Sequence, residues 1–206
     1  MFEEGLTLKH IKKFALLLTS VVLALGCSVV AFAKGGHYDD IYDGNKIIAG
    51  DGIPSGMYCL YNKSETKSAS YSVKSGSYRL ISDTFKYNAI VYLEDDDVLY
   101  LDSCYAVPLE DARINPVNEC MVEVGEHIPA GKYRVMFLRD NSQSAVCTIY
   151  DTLDFHDEED EDETAEDVSE TKKISNGSDA EIELEEGQFV KLDGCYLYDL
   201  EDEDDD

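Results

Sequence analysis

No tryptophan occurs among the 206 residues, and cations are scarce: 17 Lys and Arg face 44 Asp and Glu, for a formal charge of −27. That balance excludes nucleic acid and anionic lipid surfaces as partners, because backbone phosphates repel it. The missing tryptophan removes the side chain on which sugar-binding platforms lean most heavily. Apolar patterning at helical spacing is absent beyond the N-terminal leader. There is no Gly-x-Ser-x-Gly, no His-Glu-x-x-His and no phosphate loop. The histidines beyond the leader, His37, His127 and His156, have no Cys, Asp or Glu partner at a recognised metal or nucleophile spacing. The expectation is a protein that is not an enzyme, without catalytic residues, a resident metal or a cofactor.

What is present is written nearly twice. Gly50-Asp51-Gly52-Ile53-Pro54-Ser55-Gly56-Met57-Tyr58 returns as Gly125-Glu126-His127-Ile128-Pro129-Ala130-Gly131-Lys132-Tyr133. Further along, Ser68 to Val73 matches Ser144 to Ile149, and Ala89 to Glu94 matches Ala180 to Glu185. Leu101-Asp102-Ser103-Cys104-Tyr105 then matches Leu192-Asp193-Gly194-Cys195-Tyr196. Gly131 follows Gly56 by 75 positions and Cys195 follows Cys104 by 91, so the second copy carries 16 extra residues. The surplus falls at the acidic run Asp157 to Glu163, as in a loop, which accepts insertions that strands do not.

The first 33 residues read as a targeting segment. Lys9, Lys12 and Lys13 precede an uncharged apolar run, Phe14 to Ala33, that ends in Ala31-Phe32-Ala33 before Lys34, the small-x-small pattern of a signal peptidase site. The same run, residues 14–33, is also long enough to span a bilayer as an uncleaved anchor. A third reading is lipidation at Cys27, which follows Gly26. All three place residues 34–206 outside the cytoplasm, either secreted or anchored to the membrane only through 14–33.

Beyond the leader, 14 basic side chains stand against 42 acidic ones, and Asp154 to Glu170 alone holds eleven acids and no base. Calcium is the sharpest chemistry these stretches permit. Asp157 to Glu163, however, has neither the glycine nor the spacing of a calcium loop, so a solvated, disordered insertion is the reading adopted, with weak calcium binding as an alternative.

Five cysteines remain after Cys27, and an extracytoplasmic location permits disulfides. If bridges form, Cys59 pairs with Cys104 and Cys147 with Cys195, leaving Cys120 over. The alternative is that all are buried, unpaired small hydrophobes.

Short alternating stretches bounded by Gly, Ser, Asn and Asp point to β-structure. Tyr58 and Leu60, like Tyr133 and Val135, should face a core. Ala89, Val91 and Leu93 share one face, as do Ala180, Ile182 and Leu184, while Glu181, Glu183 and Glu185 face water, the pattern of half-buried antiparallel strands. The element Ile53, Pro54, Gly56, Tyr58, repeated as Ile128, Pro129, Gly131, Tyr133, reads as a type I turn feeding a strand. His127 lies beside it as a turn residue, and Asp102 and Asp193 suit strand ends. The tyrosines left on polar faces, Tyr38, Tyr42, Tyr92, Tyr100 and Tyr198, are candidates for an exposed aromatic patch.

Val124-Gly125-Glu126-His127-Ile128-Pro129-Ala130-Gly131-Lys132-Tyr133, with Leu184-Glu185-Glu186-Gly187-Gln188-Phe189-Val190-Lys191-Leu192 downstream, resembles the V-G-x-D-I-P-A-G-x-Y β-modules of exported proteins and lipoproteins of Gram-positive bacteria. The resemblance implies fold and location rather than an activity. The first copy departs from the pattern at Ala49 to Gly52 and at Asp95 to Val98.

The expected architecture is all-β: two tandem small β-sandwich or roll modules of five or six strands each, after an N-terminal signal or anchor helix. Residues 1–33 are the signal or anchor, 34–44 a linker, and 45–109 the first module. Residues 110–119 form a second linker, 120–200 the second module with an acidic disordered insertion at 154–173, and 201–206 an acidic tail. The expected function is binding of an envelope or extracellular protein partner, with a carbohydrate-binding module pair as the alternative.

Overall fold

A computed structural model describes residues 41–116, 119–138, 145–156, 168–175 and 178–200. Residues 1–40, the acidic run Asp157 to Glu163 and the tail 201–206 lie outside the described residues, and with them the leader, Cys27, His37 and Tyr38. The described residues belong to one compact unit. Among them the fold is all-β, and no helix is long and apolar enough to cross a membrane.

The strands of the first half are β1 (Lys46–Ile48), β2 (Gly56–Asn62), β3 (Ala69–Ser75), β4 (Tyr78–Phe85), β5 (Asn88–Leu93), β6 (Val98–Asp102) and β7 (Cys104–Pro108). After a single 3-10 turn at Leu109–Asp111 come β8 (Met121–Glu123), β9 (Gly131–Phe137), β10 (Ala145–Tyr150), β11 (Val168–Ile174), β12 (Asp179–Leu184), β13 (Phe189–Asp193) and β14 (Cys195–Asp199). Four antiparallel sheets result, in the orders β1-β6-β3-β4, β5-β2-β7, β8-β13-β10-β11 and β12-β9-β14. Counted from the start of each half, the two four-stranded orders are the same, and so are the two three-stranded ones.

The agreement extends to single bonds. Gly50 N–H donates to the Ile53 carbonyl and Gly125 N–H to that of Ile128, both at 2.7 Å. Both glycines have positive φ, 82° and 96°, where a side chain is strained. The Tyr58 hydroxyl donates to the Pro54 carbonyl at 2.7 Å, and the Tyr133 hydroxyl to that of Pro129 at 2.7 Å, so each Pro-x-Gly bend is tied by the tyrosine of the strand it feeds. The Cys104 thiol donates to the Ser70 carbonyl at 3.5 Å and the Cys195 thiol to that of Val146 at 3.4 Å. The strand pairing slips by one residue between Val73 and Lys74 and again between Ile149 and Tyr150.

Alternation builds each core. Tyr58, Leu60, Val91, Leu93 and Cys104 lie in one apolar cluster, and Tyr133, Val135, Ile182, Leu184 and Cys195 in another. On β12 the pattern is strict: Ile182 and Leu184 are buried, while Glu181 and Glu183 are exposed. β5 departs from the half-buried expectation. Ile90 is buried as fully as Ala89 and Val91, because the outer face of β5 meets the second half of the chain.

Other expectations need correction. Each half has seven strands rather than five or six; the three-residue strands β1 and β8 are too short to show a period of two. Tyr42, assigned to a linker, exchanges both backbone hydrogen bonds with Ala106, at 2.9 and 3.0 Å, and its ring meets that of Tyr58 edge-on. Both ends of segment 154–173, assigned as disordered, are placed in the fold. Residues 168–174 form β11, held by six paired positions along β10 and by the burial of Ile174, and Asp154 to His156 are placed against the first half.

The two halves meet over a third apolar cluster of Ile90, Met121, Leu153 and Phe189, with Met57, Tyr92, Tyr150 and Phe155 partly buried around it. Each of the four buried side chains contributes about 2 kcal/mol of transfer free energy before ordering costs. Polar groups cross the same seam: Lys191 pairs with Asp83, and Lys86 with Glu119. Burial opposes the charge on Lys191, but Asp83 and Asp193 outweigh it and hold the ammonium above its ordinary range.

Candidate functional site

Among the described residues, one group of titratable side chains bridges the two halves at this seam. Asp97 ends the tight turn between β5 and β6. Its Oδ2 accepts the Glu94 N–H at 2.9 Å, closing the turn on itself. The same turn in the second half is closed by Gln188, whose Oε1 accepts the Glu185 N–H at 2.9 Å. The two side chains then diverge: Gln188 Nε2 donates to Asp151 at 2.8 Å, whereas Asp97 meets an imidazole.

That imidazole belongs to His156, in the segment that leaves β10. Asp154 and His156 lie two residues apart, and Asp154 Oδ1 accepts the His156 backbone N–H at 3.2 Å. The ring nitrogens are bracketed by carboxylates. Nδ1 is 2.6 Å from Asp154 Oδ1, and Nε2 is 2.9 Å from Asp97 Oδ2 and 4.0 Å from Glu94 Oε2. Tyr92 meets the ring edge-on with centroids 6.2 Å apart. Burial works against the imidazolium, but the Asp154 hydrogen bond and the Asp97 charge together keep its pKa above the ordinary value.

Asp97 is 1% exposed, and its Oδ1 has no hydrogen-bond partner among the described residues. Glu94, Asp154 and His156 each offer a ligand atom, all within 4.8 Å of one another, so the group could hold a metal ion. The geometry suits a clamp or a cation site. The role of His156 is not legible in the sequence, because its partner Asp97 is 59 positions away. The retrievable signal was Asp97 itself, a charged residue where the matching turn has a neutral glutamine.

The residues singled out by sequence fall elsewhere. Ile53, Pro54, Gly56 and Tyr58, and Ile128, Pro129, Gly131 and Tyr133, form the two tied bends, with Tyr58 and Tyr133 both buried. His127 Nδ1 accepts the Glu123 N–H at 3.1 Å, a local turn bond. Asp102 and Asp193 end β6 and β13 just before the positive-φ residues Ser103 and Gly194. Of the tyrosines, Tyr198 is exposed, while Tyr42, Tyr92 and Tyr100 are half-buried.

All five cysteines among the described residues are buried, and none is in a disulfide. Cys59 and Cys104 do not bridge because they face opposite ways. Cys104 stands opposite Asn62 on β2, three residues from Cys59, so it points into the first core while Cys59 points to the seam. Cys147 and Cys195 share the second core, also as thiols. Burial raises every one of them, to about 12 for Cys59 and Cys195 and about 11 for Cys104 and Cys120, with Cys147 higher still.

No protein-family model matches the chain, and no curated protein and no solved structure matches it either.

Proposed function

We propose that the chain is an exported, non-enzymatic tandem of two copies of one seven-stranded β-module, and that it binds an envelope or extracellular protein through the open sheet face of the second copy. The shared sheet orders, the paired tyrosine-to-proline ties and the matching one-residue slips support the duplication. The leader pattern, ending at Ala33, supports export. The acidic segments then serve as solubilising spacers.

One contrast carries the binding assignment. The outer face of β5-β2-β7 is covered by the second half, with Cys59, Ile90 and Val107 all buried. Among the described residues, the matching face of β12-β9-β14 is left uncovered. Its cross-strand rows set Asp179, Met136 and Tyr196 side by side, and Glu181, Arg134 and Tyr198 beside them. Tyr198 is 43% exposed and Arg134 reaches Glu181 at 3.4 Å. Tyrosine, methionine and arginine together make the composition favoured in protein interfaces.

The test is capture of envelope proteins by the full chain and by Tyr198→Ala and Met136→Glu variants, beside a glycan array. A protein retained by the parent and by a Tyr78→Ala control, but lost by both face variants, supports the reading. Glycan hits with no protein retained would transfer it to sugar recognition. Fractionation of the native host with N-terminal sequencing tests export, for which Lys34 is the expected first residue.

A further inference from the structure

We propose that the seam between the halves carries a single divalent-cation site, with His156 Nε2, Asp97 and Glu94 as ligands and Asp154 as the group that orients the imidazole. Asp154 Oδ1, 2.6 Å from Nδ1, is placed to accept the Nδ1 proton when Nε2 takes a metal. The Nε2 lone pair then faces the two other carboxylates. A carboxylate behind a ligating imidazole is the usual outer-shell partner of a metal histidine.

The spacing suits a cation. Two ligand atoms about 2.1 Å from one metal and at right angles lie about 3 Å apart, and Nε2 stands 2.9 Å from Asp97 Oδ2. Glu94 Oε2 stands 4.0 Å from Nε2, near enough for an ion on Nε2 to reach it. Glu94 is half-exposed, so the remaining coordination positions open to water.

An independent observation points the same way. The Asp97 side chain is 1% exposed, its Oδ2 lies 2.9 Å from Nε2, and its Oδ1 is unpartnered among the described residues. An ionised oxygen held from water without a partner is costly. A cation drawing on both oxygens removes that cost. Among the described residues, the ion pairs of Glu94, Asp97 and Asp154 are all with His156, so no Lys or Arg compensates these three carboxylates.

The donor set selects the ion class. One imidazole with carboxylate oxygens suits Zn²⁺ or Mn²⁺, whereas Ca²⁺ wants six to eight oxygens. The first half supplies Glu94 and Asp97 and the second supplies Asp154 and His156, so the bound ion would pin the halves together. The second half cannot repeat the site, since neutral Gln188 stands where Asp97 does.

The experiment is calorimetric titration of the full chain with Zn²⁺, Mn²⁺ and Ca²⁺, repeated on His156→Gln, on Asp97→Asn and on a chain with the acids of Asp157 to Glu163 changed to amides. The expected result is one saturable Zn²⁺ or Mn²⁺ per chain. It weakens at least tenfold in the first two variants and is kept in the third, with Ca²⁺ showing no unit-stoichiometry phase. In the unsubstituted protein, substoichiometric Mn²⁺ should broaden the ring signals of His156 before those of His127, a readout that needs no variant to fold. Absence of a unit-stoichiometry phase, its survival in His156→Gln, or its loss with the acidic run alone would each overturn the proposal, and so would equal broadening of the two histidines.

Discussion

Asn88 and Met121 are joined in both directions across the seam. The Asn88 amide nitrogen donates to the Met121 carbonyl at 2.7 Å, and the Met121 N–H donates to Asn88 Oδ1 at 3.3 Å. The Asn88 side chain thus stands in for a strand backbone, satisfying the edge of β8 from the start of β5. Both partners are buried. Asn88→Ala would strand a buried N–H and a buried C=O, and urea denaturation should show a loss of about 2–4 kcal/mol. Amide exchange at Met121 should quicken more than at Val135, deep in the second core.

The two tied bends should be energetically alike. Tyr58→Phe and Tyr133→Phe each delete one hydroxyl bond to a proline carbonyl and leave the ring in place. Each should cost about 1 kcal/mol. As the two ties sit in separate cores, the double variant should lose the sum to within about 0.5 kcal/mol. A strongly unequal pair of losses would show that the bends are not equivalent.

The buried cysteines should weaken the fold at alkaline pH. Their folded pKa values are raised by burial, to about 11 or 12 for four of them. The native state therefore holds protons that the unfolded chain releases near its ordinary thiol pKa. Stability is fully present below about pH 8.5 and falls as pH rises toward the folded values, by about 1.4 kcal/mol per pH unit for each thiol involved. Urea midpoints measured from pH 7 to pH 10.5 should show that decline. At pH 8 the native thiols among the described residues should resist a thiol reagent until denaturant is added.

The charged outer face of β12 should keep the chain from stacking on itself. Where β5 presents Asn88, Ile90 and Tyr92 to the seam, the matching positions of β12 are Asp179, Glu181 and Glu183, all exposed. Where β8 presents Met121, β1 has the exposed Lys46. The contact between the halves is head-to-tail, the kind that propagates when nothing stops it. Combining Asp179→Asn, Glu181→Ile and Glu183→Tyr with Lys46→Met should give larger, concentration-dependent species in sedimentation velocity than the parent chain shows. An unchanged distribution would mean that these charges do not act as the stop.

Substituting Gly125 tests the second bend from the backbone side. A Cβ there would stand 2.8 Å from Glu186 Cγ, at a φ of +96° that L side chains avoid. Gly125→Ala should destabilise by about 1–2 kcal/mol, seen as a lower denaturation midpoint, and more than Gly187→Ala, where a Cβ would meet nothing within 4 Å.

Much of the β-structure was legible in the chain because its causes are local. A period of two places Ile182 and Leu184 inward and Glu181 and Glu183 outward, whatever surrounds β12. The Pro-x-Gly bend carries its own proline, glycine and tyrosine within five residues. β11 was not legible, since its charged run resembles the acidic stretch before it and only pairing with β10 makes it a strand. Nor was the second buried face of β5, because Ile90 alone does not say what covers it.

The carboxylate cluster and the seam belong to tertiary structure. Asp97 and His156 are brought together by two turns packing across an interface that no local pattern announces. The cysteine spacings allowed a Cys59 to Cys104 bridge, and the strand register places the two on opposite faces. Composition and periodicity suffice for the strand character of the chain, since these act between near neighbours. Which side chains become partners depends on contacts between distant segments, and those exist only once the sheets have packed.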